Sequence, residues 1–149
     1  MHIVLIEPEI HTNTGNIGRL SLATGSHLHL VKPLGFELTD ARLKRAGLDY
    51  WQHIDLTVYE TTADFFEKNK GRNMAFLSSH GDKDYTEIPF EDDVMLIFGK
   101  ESRGLSHEIV SQFKDHLYKI PQYSKHIRSI NLANAVAVIT YEGLRQLRA

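Results

Sequence analysis

The chain has 149 residues, of which 42% are hydrophobic and 24% charged, with a formal net charge of −2 and no cysteine. That length suits one domain able to bury a core without metal or disulfide staples, and the composition is too apolar for disorder. The missing thiols exclude disulfides, thiolate metal sites and a cysteine nucleophile, and the slight negative charge leaves any nucleic-acid contact to local patches.

Residues 3–6 form a short apolar run that reads as a buried strand, ended by Glu7-Pro8. A polar loop over residues 12–16 follows, and Ile17, Leu20, Ser21 and Thr24 recur at helical spacing. Residues 27–31 suit a second strand stopped by Pro33 and Gly35, and residues 39–46 a short helix broken at Gly47. A weaker strand is expected over 55–59, then an amphipathic helix capped by Thr61-Thr62 and carrying Phe65 and Phe66.

Residues 73–78 are strand-like, residues 79–93 polar and turn-rich, and residues 94–98 the most apolar strand in the chain. Ser106 caps a helix over 107–113, residues 116–120 return as a strand, and residues 131–147 form the last helix, with Leu132, Val136, Ile139, Gly143 and Leu147 along one side. Apolar strands alternating with helices predict an α/β fold, a mostly parallel sheet with helices on both faces. One domain spanning 1–149 is expected. With no leader pattern and no apolar run of the roughly 18 residues a span needs, a cytoplasmic location and no membrane partner are expected too.

Ligands of such sheets sit beyond the carboxyl ends of the strands, where helix N-termini and free amides gather. Three loops there have unusual composition. Asn13-Thr14-Gly15-Asn16-Ile17-Gly18-Arg19 has glycines that could let backbone approach a ligand, but lacks the dinucleotide fingerprint. Gly99-Lys100-Glu101-Ser102-Arg103-Gly104-Leu105 lacks the earlier glycine and the Ser or Thr of a phosphate loop, which argues against nucleoside triphosphate hydrolysis. The third runs from Ile120-Pro121 to Asn134 and carries Arg128, Ser129, Asn131 and Asn134, more polar chemistry than a helix start requires; Ser129 is the expected cap.

Two basic patches are visible, Arg42, Lys44 and Arg45, and Lys125, His126 and Arg128. Taken alone, each reads as a solvated face. His27 and His29 share a strand face without a third ligand at useful spacing, so no metal is expected, and the Gly-x-Ser-x-Gly of a serine hydrolase is missing.

Taken in order, the first two loops and Arg128-Ser129-Ile130-Asn131-Leu132-Ala133-Asn134-Ala135-Val136 resemble the three motifs of the SPOUT methyltransferases. The closest resemblance is to the small tRNA (cytidine/uridine-34-2′-O)-methyltransferases, which modify the wobble ribose. Glu7-Pro8-Glu9, Arg45-Ala46-Gly47-Leu48-Asp49-Tyr50 and Val138-Ile139-Thr140-Tyr141-Glu142 extend it over nearly the whole chain.

The resemblance implies a C-terminal trefoil knot, a homodimer with an RNA site shared between subunits, and S-adenosylmethionine as methyl donor, leaving as S-adenosylhomocysteine. It implies cofactor contacts at Leu77, Gly99, Ile120 and Ser129, and Arg19 as the residue that orients the ribose or phosphate and activates the 2′-hydroxyl. A guanidinium, with a pKa above about 12, is a poor base, so an electrostatic role is preferred. Glu101, Arg128, Asn131 and Tyr141 are candidates for shaping the site or holding RNA, and the implied substrate is a tRNA anticodon stem-loop. The alternatives are 2′-O-methylation of rRNA or another tRNA position, and a non-catalytic RNA- or nucleotide-binding protein of the same fold. Lys100, Ser78-Ser79-His80 and a longer loop before Arg128 depart from the usual pattern and bear on substrate or cofactor detail.

Overall fold

The computed structural model describes residues 1–39 and 49–149. The Arg42, Lys44, Arg45 patch, and all but Thr39 of the helix expected around it, lie outside the described residues.

The strands are β1 (His2–Ile6), β2 (His27–Val31), β3 (Leu56–Tyr59), β4 (Met74–Leu77), β5 (Lys83–Asp84), β6 (Met95–Phe98) and β7 (Leu117–Lys119). The described helices are α1 (His11–Thr24), α2 (Thr62–Lys68), α3 (His107–Gln112) and α4 (Leu132–Leu147). The strands form one seven-stranded sheet in the order β3-β2-β1-β6-β4-β7-β5, every neighbouring pair parallel.

Strand alternation sorts the apolar residues onto two faces. Ile3, Leu5, Leu28, Leu30, Leu96 and Phe98 pack with Ile17 of α1 and with Val136 and Ile139 of α4. Val4, Ile6, Val31, Met95 and Ile97 pack on the other side with Phe65 of α2 and Ile109 of α3. Both faces are therefore covered, which is why the central strands β1 and β6 carry continuous apolar runs rather than alternating ones. α1 and α4 also pack on each other, and α4 closes tightly on the sheet's lower edge. A Cβ on Gly143 would lie 2.7 Å from Met1 Sδ and from Phe90 Cδ1.

Three local expectations need correction. α1 starts at His11, so residues 12–18 are helix and not a loop. Its first turn has no side-chain cap; Glu101, distant in sequence, instead fixes the approach to the helix by accepting from the amides of Glu9 and Ile10. Gly18 serves packing rather than ligand approach, since a Cβ there would meet Ile54 Cδ1 at 2.6 Å and Trp51 Cζ3 at 2.7 Å. The cap of α4 is Asn131, whose side chain accepts from the amides of Ala133 and Asn134, while Ser129 is exposed ahead of it. The stretch after Ser79 hides the two-residue β5, paired to β7.

Candidate active site

β6, β4 and β7 are adjacent, so the loops leaving their carboxyl ends emerge side by side. Between them and the start of α4 lies a cavity of about 930 Å³, large enough for a nucleoside-sized ligand. Leu77, Gly99, Ile120 and Ser129 all line it, as do Glu101 and Arg128. Its apolar wall is completed by Phe98, Leu105, Leu132 and Ile139, and much of the rest comes from residues of the loops.

The middle loop folds back on itself through a bridge between Lys100 and Gly104, with the Gly104 amide donating to the Lys100 carbonyl at 2.8 Å. Gly99 is confined beneath it, since a Cβ would stand 2.1 Å from Gly104 C and from Leu105 N. No side chain fits there. Gly104 has φ 68°, a conformation glycine adopts without penalty.

Two glutamates latch this loop to the segment before α1. Glu101 accepts from the amides of Glu9 (2.7 Å) and Ile10 (3.1 Å) and from Asn13 Nδ2 (3.4 Å). In return Glu9 accepts from the amide and hydroxyl of Ser102 at 2.9 and 2.7 Å, and these bonds hold its carboxyl below the usual range. Glu101 also places negative charge at the positive end of α1. Glu7, at φ 54°, pairs with Lys100 Nζ at 2.8 Å, which neutralises the lysine beside the cavity.

Asn131 joins the same network, donating through Nδ2 to Asn13 Oδ1 at 3.1 Å. It thus shapes the site without lining the cavity. Asn13 and Glu9 were not singled out from the sequence for this role; the only signal was the Glu7-Pro8-Glu9 run, whose partners lie far along the chain.

Arg19 and Tyr141 stand outside the cavity. Arg19 is exposed on α1, its guanidinium carbon 5.7 Å from the centre of the Tyr50 ring, and Tyr50 is anchored by donating to the Gly15 carbonyl at 2.9 Å. Burial pushes the Tyr50 phenol up from its ordinary value. Tyr141 is 52% exposed on α4, near Val138 at 41%.

A cluster of three histidines lies at the opposite rim. His2 joins His27 and His29, with ring nitrogens of all three within 4.8 Å of one another. Every ring nitrogen is already engaged. His27 meets Asp55 and Thr57 at 2.7 Å each, His2 meets His29 and Arg72 at 2.9 Å, and His29 meets Tyr59 at 2.9 Å. Arg72 can only donate, so His2 accepts at Nε2 and donates from Nδ1 to His29, which donates on to Tyr59. Burial is the main cause that lowers His2 to about 4 and His29 to about 3. His2 and His29 are thus neutral and directionally ordered, a better description than members of a vacant ligand set.

The sequence matches the SpoU rRNA Methylase family over residues 1–141. It is 46% identical over 145 residues to the tRNA (cytidine(34)-2′-O)-methyltransferase of Methylovorus glucosotrophus, covering 97% of this chain and 94% of that protein. A solved structure concerned with 2-OH methylation of C/U34 on tRNA superposes with a TM-score of 0.91 at 44% identity, covering 99% of this chain and 95% of that one. An AdoMet-bound rRNA methyltransferase from Sinorhizobium meliloti gives a TM-score of 0.83 at 26% identity, over 98% of this chain and 56% of that one. With the family match running through all three cavity loops, the chain belongs to the SpoU methylase family.

Proposed function

We propose that the chain transfers a methyl group from S-adenosylmethionine to the ribose 2′-oxygen of the wobble nucleotide of tRNA. The observation that carries this reading is the cavity walled by Leu77, Gly99, Ile120 and Ser129. Its residues fit the donor. An apolar slot suits adenine, and Lys100 is paired with Glu7, which offsets one cation that would otherwise bear on the sulfonium. When bound, the donor supplies an electrophilic methyl group on sulfur.

The protein's task is then alignment and charge. Leu77, Ile120 and the loop backbone hold the donor, and the Glu9–Glu101 latch fixes that backbone in place. Arg19 orients the ribose or its phosphate and stabilises the hydroxyl oxygen as it loses its proton. Arg128 at the cavity wall is suited to a phosphate.

Because Arg19 lies outside its own cavity, we read the enzyme as a homodimer in which Arg19 of the partner subunit completes the site. Leu22 on α1 and Val138 and Tyr141 on α4 are exposed apolar groups on two helices that pack together, and Arg19 is one turn from Leu22. A second copy covering that face would bring its Arg19 and Tyr141 to the interface. The match to the SpoU methylase family through residue 141 supports the C-terminal trefoil knot that the motif resemblance implies. The fold supports treating residues 1–149 as a single methyltransferase domain, and a cytoplasmic location suits the anticodon stem-loop as substrate. No described helix is long and apolar enough to cross a membrane.

The test is transfer of labelled methyl to bulk tRNA, followed by mapping of the modified nucleotide. A 2′-O-methyl group at position 34 is expected; modification of rRNA, of another position or of nothing would overturn the reading.

A further inference from the structure

Between the ends of the cavity wall runs a bare loop. Residues 123–129 are exposed without interruption, although Gln122 on one side and Arg128 to Ile130 on the other line the cavity. The loop therefore stands at the cavity's mouth, held at both ends. Its own structure is slight, a Ser124 hydroxyl accepting from the His126 amide at 3.2 Å.

At its tip Tyr123 is 96% exposed, the most exposed large apolar side chain among the described residues, and Ile127 is 51% exposed. Lys125, His126 and Arg128 flank them, and residues 121–131 contain no carboxylate. A solitary surface tyrosine needs no explanation. A tyrosine free of every neighbour, on a carboxylate-free basic loop beside a ribose-modifying cavity, has the composition of a single-strand platform: cations track the phosphates while the ring stacks on an unpaired base.

We propose that Tyr123 stacks on the unpaired base next to the nucleotide whose ribose enters the cavity, with Lys125 and Arg128 on the adjoining phosphates. Tyr123 is a positioning residue for RNA, and this assignment rests on the methyltransferase reading above. It makes no contact with the donor, so it acts on RNA affinity and leaves the chemical step alone. The alternative occupant, a face of the partner subunit, would leave the phenol buried in the dimer.

An anticodon stem-loop RNA carrying 2-aminopurine beside position 34 is titrated into the protein with S-adenosylhomocysteine present, so that binding is read without turnover. The wild type should quench the fluorophore. Tyr123→Ala should weaken binding about tenfold, within the range known for loss of one stacked base, and remove most of the quench. Tyr123→Trp and Tyr123→Phe should restore both, while Tyr123→Leu, of similar bulk without a π face, should behave like alanine. In turnover assays the KM for RNA should rise in Tyr123→Ala with kcat within about twofold of wild type.

Wild-type affinity in Tyr123→Ala, rescue by leucine, a changed affinity for S-adenosylhomocysteine or a changed oligomeric state would each overturn the proposal. A wild type that binds and quenches this RNA without methylating it would instead overturn the underlying reading and keep Tyr123 as an RNA contact. A wild type that does not bind it would overturn both.

Discussion

The two rims of the sheet are built from the same strands and use polar residues in opposite ways. At the amino-terminal rim, His2, His27 and His29 have every ring nitrogen paired, and Tyr59, Asn69 and Arg72 extend the network. At the carboxyl-terminal rim, the latch residues Glu9 and Glu101 are paired while Arg128 and Ser129 stand exposed at the wall of a large cavity. A cluster of titratable side chains therefore marks a site here only where it leaves capacity unused. Crowded histidines at the other rim are a means of burying polar strand ends.

The contrast can be broken most sharply at Gly99. Gly99→Ala forces a methyl group against the Gly104 and Leu105 backbone, and overpacking of this kind costs roughly 1–3 kcal/mol or more. Donor binding should weaken by about a hundredfold in calorimetry, with the histidine rim unaffected as judged by the histidine resonances. Arg19→Ala should lower kcat about a hundredfold, as loss of a charge-stabilising donor does, yet leave donor affinity within about twofold of wild type. Mixing Arg19→Ala with Gly99→Ala subunits should restore about a quarter of the activity, because half the dimers are mixed and each then holds one complete site. No recovery would contradict a shared site.

Glu101→Gln tests the latch. Glutamine keeps one acceptor oxygen but loses the charge and the second acceptor, so donor affinity should fall about tenfold, in line with one lost charge-assisted bond. The smallest effect belongs to the histidine rim. His2 and His29 resist protonation when folded, to about 4 and about 3, whereas unfolded histidine titrates near 6.5. The unfolded chain thus binds more protons below that value, and the network's stabilisation, complete above pH 6.5, is lost as pH falls toward 4. The melting temperature should drop over this window, with a shallower slope in His29→Gln. An equal slope would show that the network is not the group titrating.

Reading the sequence located the strands best where both faces are covered, at residues 3–6 and 94–98, because their apolar runs are continuous. It located the four cavity residues through motif resemblance, and the fold then brought Leu77, Gly99, Ile120 and Ser129 to one wall. The start of α1 was misread for a physical reason: the helix has no side-chain cap, its approach is held by the distant Glu101, and Gly15 and Gly18 look like loop residues. β5 has two residues and no pattern of its own. His2 escaped notice because its partners at His27 and His29 meet it only through the β1–β2 register.

The central claim is that the loop-walled cavity at the carboxyl-terminal rim holds the methyl donor. A crystal structure with S-adenosylhomocysteine tests it most directly. The account predicts the adenine between Leu77, Ile120 and the Gly99 loop, with the rest of the compound inside this cavity. The compound lodged among the histidines or in any other place, with this cavity empty, would contradict it.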